Sequence, residues 1–309
     1  MPQGQNIEID VITADVLGLD VDVLVLKHAQ ESLGVDAAAK ERLGLGLDMD
    51  LGPGSHLIVD GRPAVGAGKV VILGTPPLHD FGYVEIRLFV RRAMSLVGTE
   101  LPAARQVALT LHGAGYGLDE IACFDAELAG LREAFDLGTV SSSLERVVIA
   151  EADERRAERL RRHLEEEGGL GEAVGRIAAT APAERDHAFV AMPFAEEFED
   201  VFHYGITRSV HAAGLLCERI DKAAFTGDIL ARMKSKIRSA TVVVADLTDA
   251  NPNVYLEVGF AWAAEIPTVL VHRRDSDLKF DVQGQRCLGY ATIKELEESL
   301  TRELRDLIA

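Results

Sequence analysis

The chain has 309 residues, 48% of them hydrophobic, with 50 acidic against 32 basic side chains and a formal charge of −18. That length suggests about two domains, each able to bury a core. The acidity excludes sequence-independent binding to a nucleic-acid backbone, and the longest apolar runs are too short to span a bilayer.

In the first half, strand-like runs rich in Val, Ile and Leu recur at Ile7–Thr13, Val21–Leu26, His56–Val59, Lys69–Leu73, Gln106–Leu111 and Arg146–Ala150. Helical stretches lie between them, at Asp36–Leu43, Tyr83–Val97 and Asp119 to Leu137. The alternation predicts an α/β layered domain. Glu151–Glu167 alternates Arg and Glu and reads as a solvent-facing helix laced with charge pairs, ended by the glycines of 168–171. Residues 1–170 are read as one domain and 171–185 as a linker.

The second half restarts at Ala188–Met192, an apolar strand. Leu215–Ile220, Thr241–Asp246 and Thr268–His272 are further strands, and Phe198–Ala213, Asp228–Arg238, Val254–Ala264 and Ile293–Ile308 are helices. Residues 186–309 therefore predict a small, doubly wound, flavodoxin-like parallel sheet of five strands. In such sheets a ligand binds beyond the carboxyl ends of the strands, at the switch point.

One carboxylate stands out. From Val254 to Ala264 the helix holds a single charged residue, Glu257. A helix apolar nearly all round is largely buried, and a buried carboxylate needs partners or a proton. Asn253 lies one turn earlier on the same face. Asp246 ends the preceding strand, where α/β folds carry chemistry, and Asn251 and Pro252 suit the start of the helix. Together Asp246, Asn253 and Glu257 suit cleavage of an N-glycosidic bond, in which a carboxylate attacks C1′ or stabilises its cation. The alternative is a narrow polar stripe facing solvent.

The stretches Ala191–Phe194, Arg219-Ile220-Asp221, Gly227-Asp228-Ile229 and Val242–Ala263, with Phe280–Tyr290 at the end, resemble bacterial Toll/interleukin-receptor-like (TIR-like) domains, whose fold is similar to that of nucleoside 2-deoxyribosyltransferases. The resemblance implies that Glu257 is catalytic and that Phe194 and Asp221 line the base and ribose pocket; Asp246 and Asn253, a second carboxylate and an amide beside it, are read as orienting ribose hydroxyls. Phe194 also fits a core aromatic, and Asp221 a solvent-exposed strand end. Active relatives cleave the nicotinamide–ribose bond of NAD or transfer deoxyribose between bases.

In the first half, His112-Gly113-Ala114-Gly115-Tyr116-Gly117 follows a strand and precedes a helix. Such a loop lets backbone amides approach a diphosphate, although a plain tight turn has the same composition. With Asp15 after the first strand, Gly34-Val35 opening a helix and Arg146–Ala150 as closing strand, residues 1–168 resemble a degenerate macro domain, an α/β/α sandwich. The resemblance implies that Asp15 meets adenine, that Gly34 and Val35 form a first phosphate loop, and that Gly113, Gly115 and Tyr116 belong to a second. Lys27 and Gln30 stand where that family carries asparagines, so ADP-ribosyl hydrolysis is not expected there.

Cys123, Cys217 and Cys287 are scattered with no CxxC spacing, and His28, His112 and His163 have no metal spacing, so neither a disulfide framework nor a metal is expected. Met1–Asn6 shows no secretory signal, which with the cysteines predicts a cytoplasmic setting. The reading at this point is a nucleotide-handling protein with no required cofactor. NAD is its substrate, an ADP-ribose-like nucleotide its ligand, and neither nucleic acid nor membrane its partner. The TIR resemblance implies a homo-oligomeric stress or antiphage effector. A nucleoside deoxyribosyltransferase or hydrolase, and a non-catalytic nucleotide sensor, are the alternatives.

Overall fold

The apolar runs of the first half become the strands of one sheet. The computed structural model describes residues 7–29, 34–46, 49–166, 186–220, 229–276, 278–279, 282 and 284–308. Its first strands are β1 (Glu8–Thr13), β2 (Val23–His28), β3 (His56–Asp60), β4 (Lys69–Gly74), β5 (Gln106–Thr110) and β6 (Arg146–Glu151). They lie in the order β1-β6-β5-β2-β4-β3, with only the β3–β4 pairing antiparallel. Every residue of β2 is buried, as a strand covered on both faces requires. The edge strand β3 is buried only in part.

The helices of this region are α1 (Gly34–Arg42), α2 (Tyr83–Glu100), α3 (Glu120–Asp136) and α4 (Glu154–Glu166). Gly130 lets α3 approach α2 closely, since a Cβ there would sit 2.4 Å from the Arg87 carbonyl oxygen. The Arg/Glu-rich helix α4 departs from the expectation of a solvated face. Ala157 and Leu160 are fully buried. Arg159 grips Glu120 of α3 at 2.5 and 3.1 Å, and His163 Nε2 lies 2.7 Å from Asp125. Its charges therefore pair mainly across to α3, a tertiary use of side chains that local spacing does not reveal.

By its internal contacts the chain divides into two compact units. One is Met1–Ala114 with Glu120–Ala183, the other Gly115–Asp119 with Glu184–Ala309. The expected helix end at Gly168–Gly171 and linker at 171–185 lie outside the described residues.

The second unit holds β7 (His187–Ala191), β8 (Leu216–Glu218), β9 (Val242–Asp246), β10 (Thr268–Arg273) and β11 (Cys287–Tyr290), ordered β11-β10-β9-β7-β8 and all parallel. Counted along the unit this is the order 2-1-3-4-5, the flavodoxin-like sheet the sequence suggests. One face is covered by a π-helical stretch, Val201–Thr207, continuing into α5 (Arg208–Ala212), and by α8 (Ile293–Ile308), with Val201, Ile206, Leu296 and Leu300 in its core. The other face carries α6 (Ile229–Ser239) and α7 (Pro252–Ala263), which bury Met233, Ile237, Val254, Val258 and Ala261.

Two details differ from the sequence reading. Phe198–Ala213 is not one regular helix but a 3-10 turn at Glu196–Phe198, the π-helical stretch and α5. Gly205 in the π stretch admits α8 closely, because a Cβ there would meet Leu296 Cδ2 at 2.8 Å. The fifth strand, Cys287–Tyr290, had no residues assigned to it; four residues including a glycine give too short a run to read. Among the described residues, no helix is long and apolar enough to cross a membrane.

Candidate functional site

The switch point of the second sheet lies between β7 and β9, because β8 flanks β7 on one side while β9 and β10 follow on the other. Ala191 pairs with Ala245, so the residues leaving β7 and β9 emerge side by side. The β7 exit carries Met192, Pro193 and Phe194. The β9 exit carries Asp246 and a 3-10 turn, Thr248–Ala250, that feeds α7.

That turn is strained. Asp249 and Ala250 have φ values of 64° and 48°, a left-handed pair with no glycine. Such conformations cost on the order of 1–3 kcal/mol each and gather at functional sites. Asn251 then caps α7, its Oδ1 accepting the N–H of Asn253 at 2.9 Å, with Pro252 at the first helical position.

Glu257, in the second turn of α7, is 8% exposed. It is the only charged residue of that helix. Its burial fits the expectation drawn from an apolar helix. Asp246 is buried completely. Its Oδ1 accepts the Thr248 N–H, and its Oδ2 accepts the Tyr290 hydroxyl, each at 2.9 Å. Burial pushes its carboxyl above the ordinary range, against the pull of the Thr248 and Tyr290 donors. Asp246 as placed therefore braces the strand end, which differs from the expected direct contact with ribose hydroxyls. Asn253 is exposed at the helix start.

Phe194 is 36% exposed, which sets aside the core-aromatic alternative. The guanidinium of Arg219, which follows β8, lies 5.4 Å from the Phe194 ring centroid and 3.9 Å from that of Phe202. Arg219 also bonds Glu199 at 2.9 Å. The hydrogen bond from His203, with Arg219 adding to it, holds the Glu199 carboxyl at about 2. Asp221 lies outside the described residues.

On the α8 face of the same sheet edge is a cleft of about 630 Å³, lined among others by Asp200, Arg273, Tyr290 and Thr292. Neither Glu257 nor Phe194 lines it, while Tyr290, which does, is the residue bonded to Asp246. Sequence reasoning gave no role to Tyr290 or Arg219. Both sit at strand ends, and their partners are far away in the chain.

In the first unit the expected loop residues have mixed placements. Asp15 is exposed, and its Oδ1 accepts the Leu17 N–H at 3.0 Å, capping a short 3-10 turn. Gly34 is exposed with φ 58° at the start of α1, and Val35 packs partly into the core. Gly113 is buried with φ 90°. Gly115 is exposed, and a Cβ there would meet nothing within 4 Å. Gly115 and Tyr116 group with the second unit, where the Tyr116 carbonyl accepts Arg232 Nη2 at 2.8 Å.

Ionisable groups of β2 and α1 are linked in pairs that the sequence did not mark. Lys27 Nζ contacts Asp36 Oδ2 at 2.5 Å, and Lys40 Nζ lies 2.6 Å from His28 Nδ1, while His28 Nε2 donates to the Met49 carbonyl at 2.8 Å. Burial lowers both Lys40 and His28 from their ordinary values. Lys27 is thus held in a buried ion pair. Gln30 lies outside the described residues. Among the described residues no cluster of His, Cys, Asp and Glu is fit to hold a metal.

No protein-family model and no curated protein matches the sequence. Among solved structures, the chain is similar to a Trypanosoma brucei macrodomain in complex with ADP-ribose, at 16% identity and TM-score 0.41, over 51% of this chain and 69% of that one. An Oceanobacillus iheyensis macrodomain with ADP aligns at 16% identity and TM-score 0.39, over 54% and 95%. The macrodomain of Mycobacterium tuberculosis DarG aligns at 17% identity and TM-score 0.32, over 47% and 98%.

Proposed function

We propose that the second unit cleaves the N-glycosidic bond between nicotinamide and ribose in NAD or a related nucleotide, with Glu257 as the catalytic carboxylate. The observation that carries this reading is Glu257 itself: one buried carboxylate on an otherwise apolar helix, entered through a strained turn at the switch point of a parallel sheet. The likeness of Val242–Ala263 to TIR-like domains supports it.

Departure of the base leaves positive charge on the ribose ring and C1′. A carboxylate in a site of low dielectric stabilises that charge or bonds to C1′ until water replaces it. Phe194, with its ring accessible and Arg219 behind it, offers a flat face to the base. Asn253 faces solvent at the helix start and can meet a ribose hydroxyl. Asp246 acts one step back by fixing the turn that precedes Glu257. On this reading the Gly113–Tyr116 loop recognises an ADP-ribose-like nucleotide, as the macro-like motifs suggest, and the protein is a homo-oligomeric effector of the cytoplasm. Lys27, committed to Asp36, does not supply the amide that the macro-domain pattern uses, so binding without hydrolysis is expected there.

The test is incubation of the full chain at high concentration with NAD, and separately with a panel of nucleosides, followed by chromatography. Nicotinamide released by the wild type and absent with Glu257→Gln supports the proposal. Free base or exchanged base from the nucleoside panel alone moves the substrate to nucleosides. No product under any condition, with ADP-ribose present or absent, refutes a catalytic second unit.

A further inference from the structure

At the carboxyl end of β5, a buried carboxyl group on α3 holds the start of the glycine loop. Glu127 is 0% exposed and His112 1%. Oε1 of Glu127 accepts the backbone N–H of His112 at 2.8 Å, and the His112 Nδ1 lies 2.8 Å from the same oxygen. Among the described residues the other carboxyl oxygen, Oε2, has no hydrogen-bond partner, and neither has Nε2 of His112.

A carboxylate ion placed there would keep one oxygen charged, dry and unbonded, which is costly. A carboxylic acid protonated on Oε2 leaves that oxygen unbonded but uncharged, which costs far less. Its Oε1 is then a carbonyl oxygen that accepts both the backbone N–H and the Nδ1–H of a neutral imidazole. The surrounding charges do not demand an ion. Lys27 of β2 faces the pair but is bound to Asp36 of α1, Glu151 of β6 adds negative charge, and the Phe89 ring of α2 lies 4.7 Å from the imidazole between centroids.

We infer that Glu127 is a neutral acid that positions the glycine loop, so that the loop's grip on a nucleotide is gated by a single proton. Burial supports the same state from another side, pushing Glu127 well above its ordinary range and holding His112 at about 3. Ionising Glu127 would put a dry charge into the core beside the first residue of the loop, and the local opening that brings water to that charge would expose the His112 N–H. The nucleotide half of this inference rests on the proposed role of the Gly113–Tyr116 loop.

Two measurements on the full chain, from pH 6.5 upward, separate the acid from the ligand. In the first, amide hydrogen exchange at His112 without ligand is corrected for its intrinsic rate. Wild-type protection should fall at least tenfold as the pH rises, whereas Glu127→Gln, whose amide oxygen accepts the same two N–H groups, should keep constant protection. In the second, calorimetric titration with ADP-ribose should show the wild-type Kd rising at least tenfold over the same range while that of Glu127→Gln stays flat. Wild-type protection that does not change with pH, or a Gln variant that follows the wild-type curve, overturns the inference. The expected protection curves with no ADP-ribose binding by either protein would uphold the neutral acid and refute the nucleotide reading. The wild-type exchange curve decides alone if the variant does not fold.

Discussion

The Tyr290 hydroxyl donates to Oδ2 of Asp246 at 2.9 Å, joining the last strand of the second sheet to the carboxyl end of its central strand. Both residues are almost fully buried, and burial also pushes the Tyr290 phenol above its usual range. Removing the donor leaves a buried carboxyl oxygen without its hydroxyl, a loss of about 1–3 kcal/mol. Tyr290→Phe should therefore lower the melting temperature of the full chain, and Asp246→Asn should lower it too, because one amide oxygen can accept from Thr248 or from Tyr290 but not from both. Equal melting of Tyr290→Phe and wild type would show that the bond does not support the strand end.

Glu257→Gln keeps shape and removes charge. Loss of a catalytic carboxylate costs on the order of 10²–10⁴ in rate, so nicotinamide release should fall to background while the circular dichroism spectrum stays unchanged. Because Glu257 is buried on the inner side of α7, Leu256→Ser on its exposed side serves as a control and should leave the rate within about twofold, as surface changes usually do. A Gln variant as fast as wild type would remove Glu257 from the chemistry.

The strands were readable where burial on both faces demands apolar runs. Val242–Asp246 and Gln106–Thr110 announce themselves for that reason, and the sheet order of the second unit follows the alternation expected of a doubly wound domain. The burial of Glu257 was readable because a helix apolar nearly all round packs inward and takes its one charge with it. What escaped are relationships between distant residues. Nothing local marks Tyr290 as the partner of Asp246, separated by 44 positions, or Glu127 as the anchor of His112. The assignment of Gly115–Asp119 to the second unit also leaves no trace in composition. Asp15 shows the limit of a local signal: an Asp after a strand suits a ligand contact and an N-cap equally, and in the structure its Oδ1 caps the turn while the side chain stays exposed.

Glu199 carries a pH signature. The hydrogen bond from His203 and the charge of Arg219 depress its carboxyl from an ordinary 4.5 to about 2. A depressed acid stabilises the fold above its unfolded value, and this contribution disappears as pH falls through the folded one. The melting-temperature gap between wild type and Glu199→Gln should be full above pH 4.5 and close progressively towards pH 2. A gap that is constant from pH 6 to 3 would show that the Glu199–His203–Arg219 cluster is not ionically coupled.

The glycine loop can be tested without disturbing the fold. A Cβ at Gly115 would meet nothing within 4 Å, and its φ is not in the left-handed region. Gly115→Val should therefore melt within a degree or two of wild type, as an exposed change with no steric conflict does. If the loop brings backbone amides against a diphosphate, the two new methyl groups intrude on that approach, and ADP-ribose affinity should fall by about tenfold or more, the equivalent of 1.4 kcal/mol. Gly205→Val is the contrasting case: its Cβ would come within 2.8 Å of Leu296 Cδ2, so it should lose stability by about 1–3 kcal/mol through overpacking without bearing on the loop. ADP-ribose titrations that are identical for Gly115→Val and wild type would reduce the loop to a tight turn.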